Sequence, residues 1–284
     1  MIAGRGDGLR NPSEVLFERY LALHGHTDWQ YETDVDGKRP DYRVTHNGSN
    51  LYLEVKEFDA PKLTEGVDSY DLYKPIRRKI TRAASQFKGC RSFPCALVLT
   101  NLNCAVVRLG NPEVVMAAML GDLAFQIPVG PTIGPDGRGR TIFTHDGKMA
   151  SEKHKPRNTT VSSLIVLGTY SLHEKRIEAA VRRRAQALGR SMTLQEAVEG
   201  ALELVEEMGD DGGERRVRVV VYENPFARSP LSRGLFNGPF DERWSMESGF
   251  MRRVFVGEEI VRGEASLSQN DKYLQITKDI SGVA

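Results

Sequence analysis

Arg39-Pro40-Asp41-Tyr42-Arg43-Val44-Thr45-His46-Asn47-Gly48-Ser49-Asn50-Leu51-Tyr52-Leu53-Glu54-Val55-Lys56 is the stretch on which the reading of the chain turns. Residues 39–45 and 51–58 read as strands, and Asn-Gly between two extended runs is a strong hairpin signal. With Asn47-Gly48 as a two-residue loop, paired positions sum to a constant, and Asp41 falls directly across from Glu54. Opposed residues of an antiparallel pair have Cβ atoms only ~5 Å apart. Two carboxylates so placed repel, and the pairing is unfavourable unless something compensates. A divalent cation is the natural compensator, because hard ions such as Mg²⁺ are commonly held by one or two carboxylates together with waters and a phosphate. Side chains alternate along a strand, so Lys56 shares the face of Glu54, while Leu51, Leu53 and Val55 form an apolar opposite face suited to a core. An ammonium in that position can activate a water and stabilise charge on a phosphate.

Working outward, Asn11-Pro12-Ser13-Glu14 has the form of a capping box with proline at the first helical position, and the helix it opens runs through Leu23 to a stop at Gly25. Phe17, Leu21 and His24 make its apolar stripe. Glu14 lies at the edge of that stripe close to Leu21, with Glu18 further round and Glu32 beyond the helix as competing acids. Downstream, residues 74–88 form a basic helix with Ile76, Ile80, Ala83 and Phe87 as its packing stripe and Lys79, Arg82 and Gln86 along its flank. Arg77, Arg78 and Arg82 are placed to contact phosphates. Further strands are expected at 96–100, 141–144, 163–170 and 217–222, and helices at 112–120, 173–188 and 194–208. Residues 130–140 are dense in glycine and proline and read as a loop. Early hairpin pairing followed by interleaved helices predicts an α/β domain with a mixed sheet. The pattern weakens beyond Asn224. The expected division is therefore residues 1–223 as the main domain and 224–284 as a C-terminal extension of unknown role.

Bulk properties restrict the alternatives. A chain of 284 residues buries a core without staples. Its formal net charge of +1 excludes a globally basic protein, so any nucleic-acid contact must come from a local patch. Three cysteines, an odd count without CxxC spacing, argue against a disulfide framework or zinc knuckle and fit reduced thiols in the cytoplasm. No apolar run approaches the ~20 residues of a membrane span. The loop Gly134-Pro135-Asp136-Gly137-Arg138-Gly139-Arg140 lacks the ending of a phosphate-binding P-loop, and His145, His154 and His173 lack metal-ligand spacing.

Pro40-Asp41, a gap of twelve residues and then Glu54-Val55-Lys56 resembles the signature of the PD-(D/E)xK nuclease superfamily, which includes restriction-endonuclease-like enzymes and Holliday junction resolvases. Glu14, Leu21 and Gly25 are similar to the opening helix of resolvase-like members with its auxiliary acid. The likeness spans residues 13–88. It implies a restriction-endonuclease-like mixed β-sheet flanked by helices, and Mg²⁺- or Mn²⁺-dependent hydrolysis of phosphodiesters, with DNA as the polymer. It further implies Asp41 and Glu54 as metal ligands, the Val55 carbonyl as a further ligand, Glu14 in support of a second metal or its water, and Lys56 acting on the attacking water. A polar residue of the basic helix, Gln86 with Lys79 second, reaches toward the catalytic face, and Lys79, Arg82 and Arg78 meet nucleic acid. Many members act as dimers. The alternative is a nuclease-fold module without turnover that binds nucleic acid or a protein partner. RNA as the polymer also stays open.

Overall fold

The computed structural model describes residues 10–59, 71–102, 104, 107–126, 140–143, 147–150, 155–171, 175, 177, 196, 215–247 and 250–268. The hairpin forms as its turn chemistry demands. Asn47 and Gly48 both take left-handed backbone, φ 49° and 75°, the combination a tight hairpin turn requires. Strand β2 (Tyr42–His46) pairs antiparallel with β3 (Ser49–Glu57), matching Tyr42 with Leu53 and His46 with Ser49. The short strand β1 (Trp29–Tyr31) closes the edge beside β2.

Downstream of β3, α2 (Lys74–Gln86) crosses over to β4 (Cys95–Thr100), which lies parallel to β3. Every residue of β4 is buried, as expected for a central strand covered on both faces. After α3 (Pro112–Leu120) comes a separate hairpin of β5 (Leu123–Gln126) and β6 (Arg140–Phe143). The main sheet continues with β7 (Ser163–Tyr170) parallel to β4, and β8 (Arg216–Glu223) antiparallel to β7. The strand order so far is β1-β2-β3-β4-β7-β8, and two further strands continue it at the β8 edge into a mixed sheet of eight strands among the described residues.

The last two strands come from the stretch that the sequence pattern left unassigned. They are β9 (Glu242–Glu247), parallel to β8, and β10 (Phe250–Val256), antiparallel to β9; α4 (Glu258–Ser268) follows. The intervening loop folds back over the sheet and buries Leu231, Leu235 and Phe236. The expected helices 173–188 and 194–208, with the basic run Arg182–Arg184, and the loop 130–139 fall outside the described residues, apart from 175, 177 and 196, which are helical. His145, His154 and His173 also lie outside them.

Strand alternation splits the core into two layers. On one face α1 (Pro12–Leu23) packs Phe17, Tyr20 and Leu21 against Tyr42, Val44, Leu53, Val55 and Val98. On the other, Ile76, Ile80 and Phe87 from α2 and its 3₁₀ extension, with Val115, Ala118 and Met119 of α3, pack against Tyr52, Leu97 and Leu99. Glu54 and Lys56 lie on this second face. Among the described residues, no helix is long and apolar enough to cross a membrane.

Candidate active site

The hairpin register carries Asp41 one step beyond Tyr42, opposite Glu54, and Pro40 one step further, opposite Val55. Proline has no N–H to give to the Val55 carbonyl. The Val55 N–H, for its part, donates to Asp41 Oδ2 at 2.7 Å. The ladder thus gives way to a side chain where the acid pair sits.

Lys56 Nζ stands 2.7 Å from Glu54 Oε1 and 3.2 Å from Asp41 Oδ2. One ammonium therefore bridges two carboxylates. Glu54 is 2% exposed, and its Oε2 is buried without a hydrogen-bond partner. Burial, followed by the charge of Asp41, pushes the Glu54 carboxyl above its ordinary range, against the pull of Lys56 and the Asp41 backbone N–H. Burial pulls the Lys56 amine down, but the Asp41 charge and its contacts with Glu54 outweigh that and raise it. Two acids against one ammonium, with a buried carboxylate oxygen lacking a partner, make a hard-oxygen donor set of the kind that suits Mg²⁺ or Mn²⁺. Among the described residues, no group of three acids, histidines or cysteines is close enough to hold a metal ion.

Beside this cluster opens a cleft of about 560 Å³ lined by Asn11, Val55, Lys56, Glu57, Phe58, Asp59 and Lys79. Lys79 reaches across from α2, donates to the Glu57 carbonyl at 2.9 Å and lies 5.5 Å from the centre of the Phe58 ring. Its amine is pulled below its ordinary value by burial, with the neighbouring cations Arg82 and Lys56 adding to the effect and Asp59 opposing it. Arg78 and Arg82 are exposed on α2, and Gln86, half-buried at the end of that helix, does not line the cleft. A second cavity of about 610 Å³ lies between residues 237–239 and α4, remote in sequence from the acid pair.

The acids of α1 are already engaged. Glu14 completes the capping box: its Oε2 accepts from the Asn11 N–H at 3.0 Å, and its Oε1 accepts from the Tyr31 hydroxyl at 3.3 Å. Glu18 Oε1 accepts from Tyr42 at 2.8 Å and pairs with Arg10 at 2.9 Å, while the Arg10 guanidinium lies over the Tyr31 ring. Glu32 takes a left-handed backbone and gives its N–H to the Asp41 carbonyl at 2.9 Å. Asn11 and Asp59 line the cleft although sequence reasoning did not single them out. In the sequence Asn11 signals only a helix cap, and Asp59 lies just past the strand end, where no periodicity marks it. A scan against protein-family models and a search of curated proteins return no match for this chain.

Proposed function

We propose that the protein is a Mg²⁺- or Mn²⁺-dependent nuclease that hydrolyses phosphodiester bonds, with DNA as its polymer. The observation that carries this reading is the buried, unpartnered Glu54 Oε2 beside Asp41, spanned by Lys56 at the edge of an open cleft. Asp41, Glu54 and the Val55 carbonyl would hold the ion, which when bound supplies charge stabilisation at the scissile phosphate and a more acidic water. Lys56, raised in basicity by its two acids, stays protonated, orients the attacking water through its N–H groups and offsets developing charge on the phosphate. Lys79 adds a second cation across the cleft, and Arg78 and Arg82 continue the positive surface along α2. In an auxiliary role Glu14 would use the lone pairs left free by its bonds to the Asn11 N–H and the Tyr31 hydroxyl.

The test is direct. Purified protein with Mg²⁺ or Mn²⁺ should cleave plasmid or single-stranded DNA, and Lys56→Ala or Asp41→Asn should abolish cleavage. Wild-type cleavage that both variants retain would sink the assignment.

A second reading is a nuclease-fold module without turnover. The self-neutralising contact of Lys56 with both acids favours it, since such a cluster can be purely structural. A Mn²⁺ titration separates the two, because ion binding to the native state raises the melting temperature. A rise in wild type that is absent in Asp41→Asn supports the nuclease.

A further inference from the structure

The near-neutral net charge hides a strong local imbalance. Between Asp71 and Glu113 the chain has no acidic residue, but it has eight cations: Lys74, Arg77, Arg78, Lys79, Arg82, Lys88, Arg91 and Arg108. Subtracting those eight from the formal +1 leaves −7 on the rest of the chain. Two of the eight are spoken for. Arg77 pairs with Asp122 at 2.6 Å, and Lys79 enters the cleft. The other six are exposed, and among the described residues none of them forms an ion pair.

Their arrangement follows from helix geometry. Lys74, Arg78 and Arg82 stand four residues apart on the solvent side of α2, a helix ~20 Å long. Each step of four turns the side chain ~40° further round the axis, in the direction of Lys79 and the cleft. Lys88 and Arg91 are exposed beyond the end of the helix and turned round from this row. Asp71 accompanies Lys74 at the start of the helix, but opposite charges normally intersperse on a soluble surface, so a row with no further acid leading toward a proposed catalytic cleft fits an extended polyanion.

We infer that the Lys74–Arg78–Arg82 ridge of α2 is a track for the sugar–phosphate backbone that leads the nucleic-acid strand to the Lys56 cleft. The inference rests on the nuclease reading and adds where the substrate lies. The contacts are to phosphates, so they position the strand without reading its sequence.

The experiment measures binding apart from cleavage. Full-length protein in EDTA is titrated with fluorescent single-stranded and duplex oligonucleotides over a range of salt concentrations. The triple variant Lys74→Ala/Arg78→Ala/Arg82→Ala should bind on the order of 10- to 100-fold more weakly at low salt, and its slope of log affinity against log salt should flatten by about 2 to 3. Lys88→Ala/Arg91→Ala should lose less in the same direction. Arg157→Ala/Arg228→Ala, which removes exposed cations elsewhere, should match wild type. Unchanged melting temperature and far-ultraviolet circular dichroism would confirm that the variants are folded. A triple variant with the slope and affinity of the Arg157/Arg228 control would overturn the track. So would loss of binding to anionic phospholipid vesicles with oligonucleotide binding intact, since that would assign the ridge to a membrane surface. Failure of the nuclease reading has a different signature: wild type would show the salt-dependent binding but no metal-dependent cleavage.

Discussion

At the residue scale the centre is held together by opposed charges that Lys56 reconciles. Removing its amine leaves Asp41 and Glu54 facing each other with one of them buried. Lys56→Ala should therefore lower stability by about 1–2 kcal/mol, seen as a drop in melting temperature. Mn²⁺ should raise the melting temperature of this variant more than that of wild type, because the ion takes over the compensation the ammonium supplied. A smaller rise would count against shared occupancy. A second titrating group lies on the far side of the hairpin. His26 packs its ring edge-on to Phe236 and faces His46, His24 and Asp241. Burial, then His46 and His24, pull its pKa below the ordinary value of 6.5. The folded state thus binds fewer protons than the unfolded chain below that pH. Stability is full above about pH 6.5 and is lost as pH falls from there through the folded value. His26→Phe keeps the ring contact and cannot titrate, so its melting temperature should fall less than that of wild type between pH 7 and pH 5, by on the order of 2 °C. Parallel curves would exclude His26 as the source.

At the scale of elements, the two-residue turn governs the site. Gly48 sits at φ 75° with nothing within 4 Å of where a Cβ would stand. Gly48→Ala should then cost about 1 kcal/mol through backbone strain alone, measurable by urea unfolding, with metal binding retained because the register is kept. Inserting one residue at the turn would be another matter, since a one-step slip moves Glu54 and Lys56 to the opposite face. This arithmetic explains why the acid pair was legible in the sequence: strand alternation and an Asn-Gly turn fix which residues meet. The helices were legible to a lesser depth. Periodicity places Lys79 and Gln86 on one flank of α2, but which of them enters the cleft depends on how far β3 runs beside the helix, and Lys79 is the one that does. Likewise the helical wheel gave a direction for Glu14 and Glu18 but could not supply Tyr31 and Tyr42, their partners from separate strands.

At the scale of the whole molecule, Asp241 ties the carboxyl-terminal segment to the first helix. It is fully buried and accepts from the Tyr20 hydroxyl at 2.5 Å, the Gly238 N–H at 2.6 Å and the Val219 N–H at 2.9 Å. Asp241→Ala leaves these buried donors without an acceptor and should cost about 3 kcal/mol or more, read as a lower urea midpoint. A change below about 1 kcal/mol would show that the bonds contribute little. Arg243, equally buried, pairs with Glu223 at 2.8 Å and donates to the Leu235 carbonyl. These contacts explain why residues 224–244 could not be read from sequence. Their order comes from buried charges meeting backbone groups of distant segments, which no local periodicity announces.

The Tyr20–Asp241 bond joins positions 221 residues apart, and this has a consequence for the protein as it is made. The hairpin bearing Asp41 and Glu54 leaves the ribosome early, but the acceptor for Tyr20 follows only after roughly 10–40 s of further synthesis at typical elongation rates. Until then the first helix has no anchor at its buried hydroxyl. The nascent chain therefore spends that interval with its amino-terminal third unsealed, in the period when chaperones and proteases have access to it.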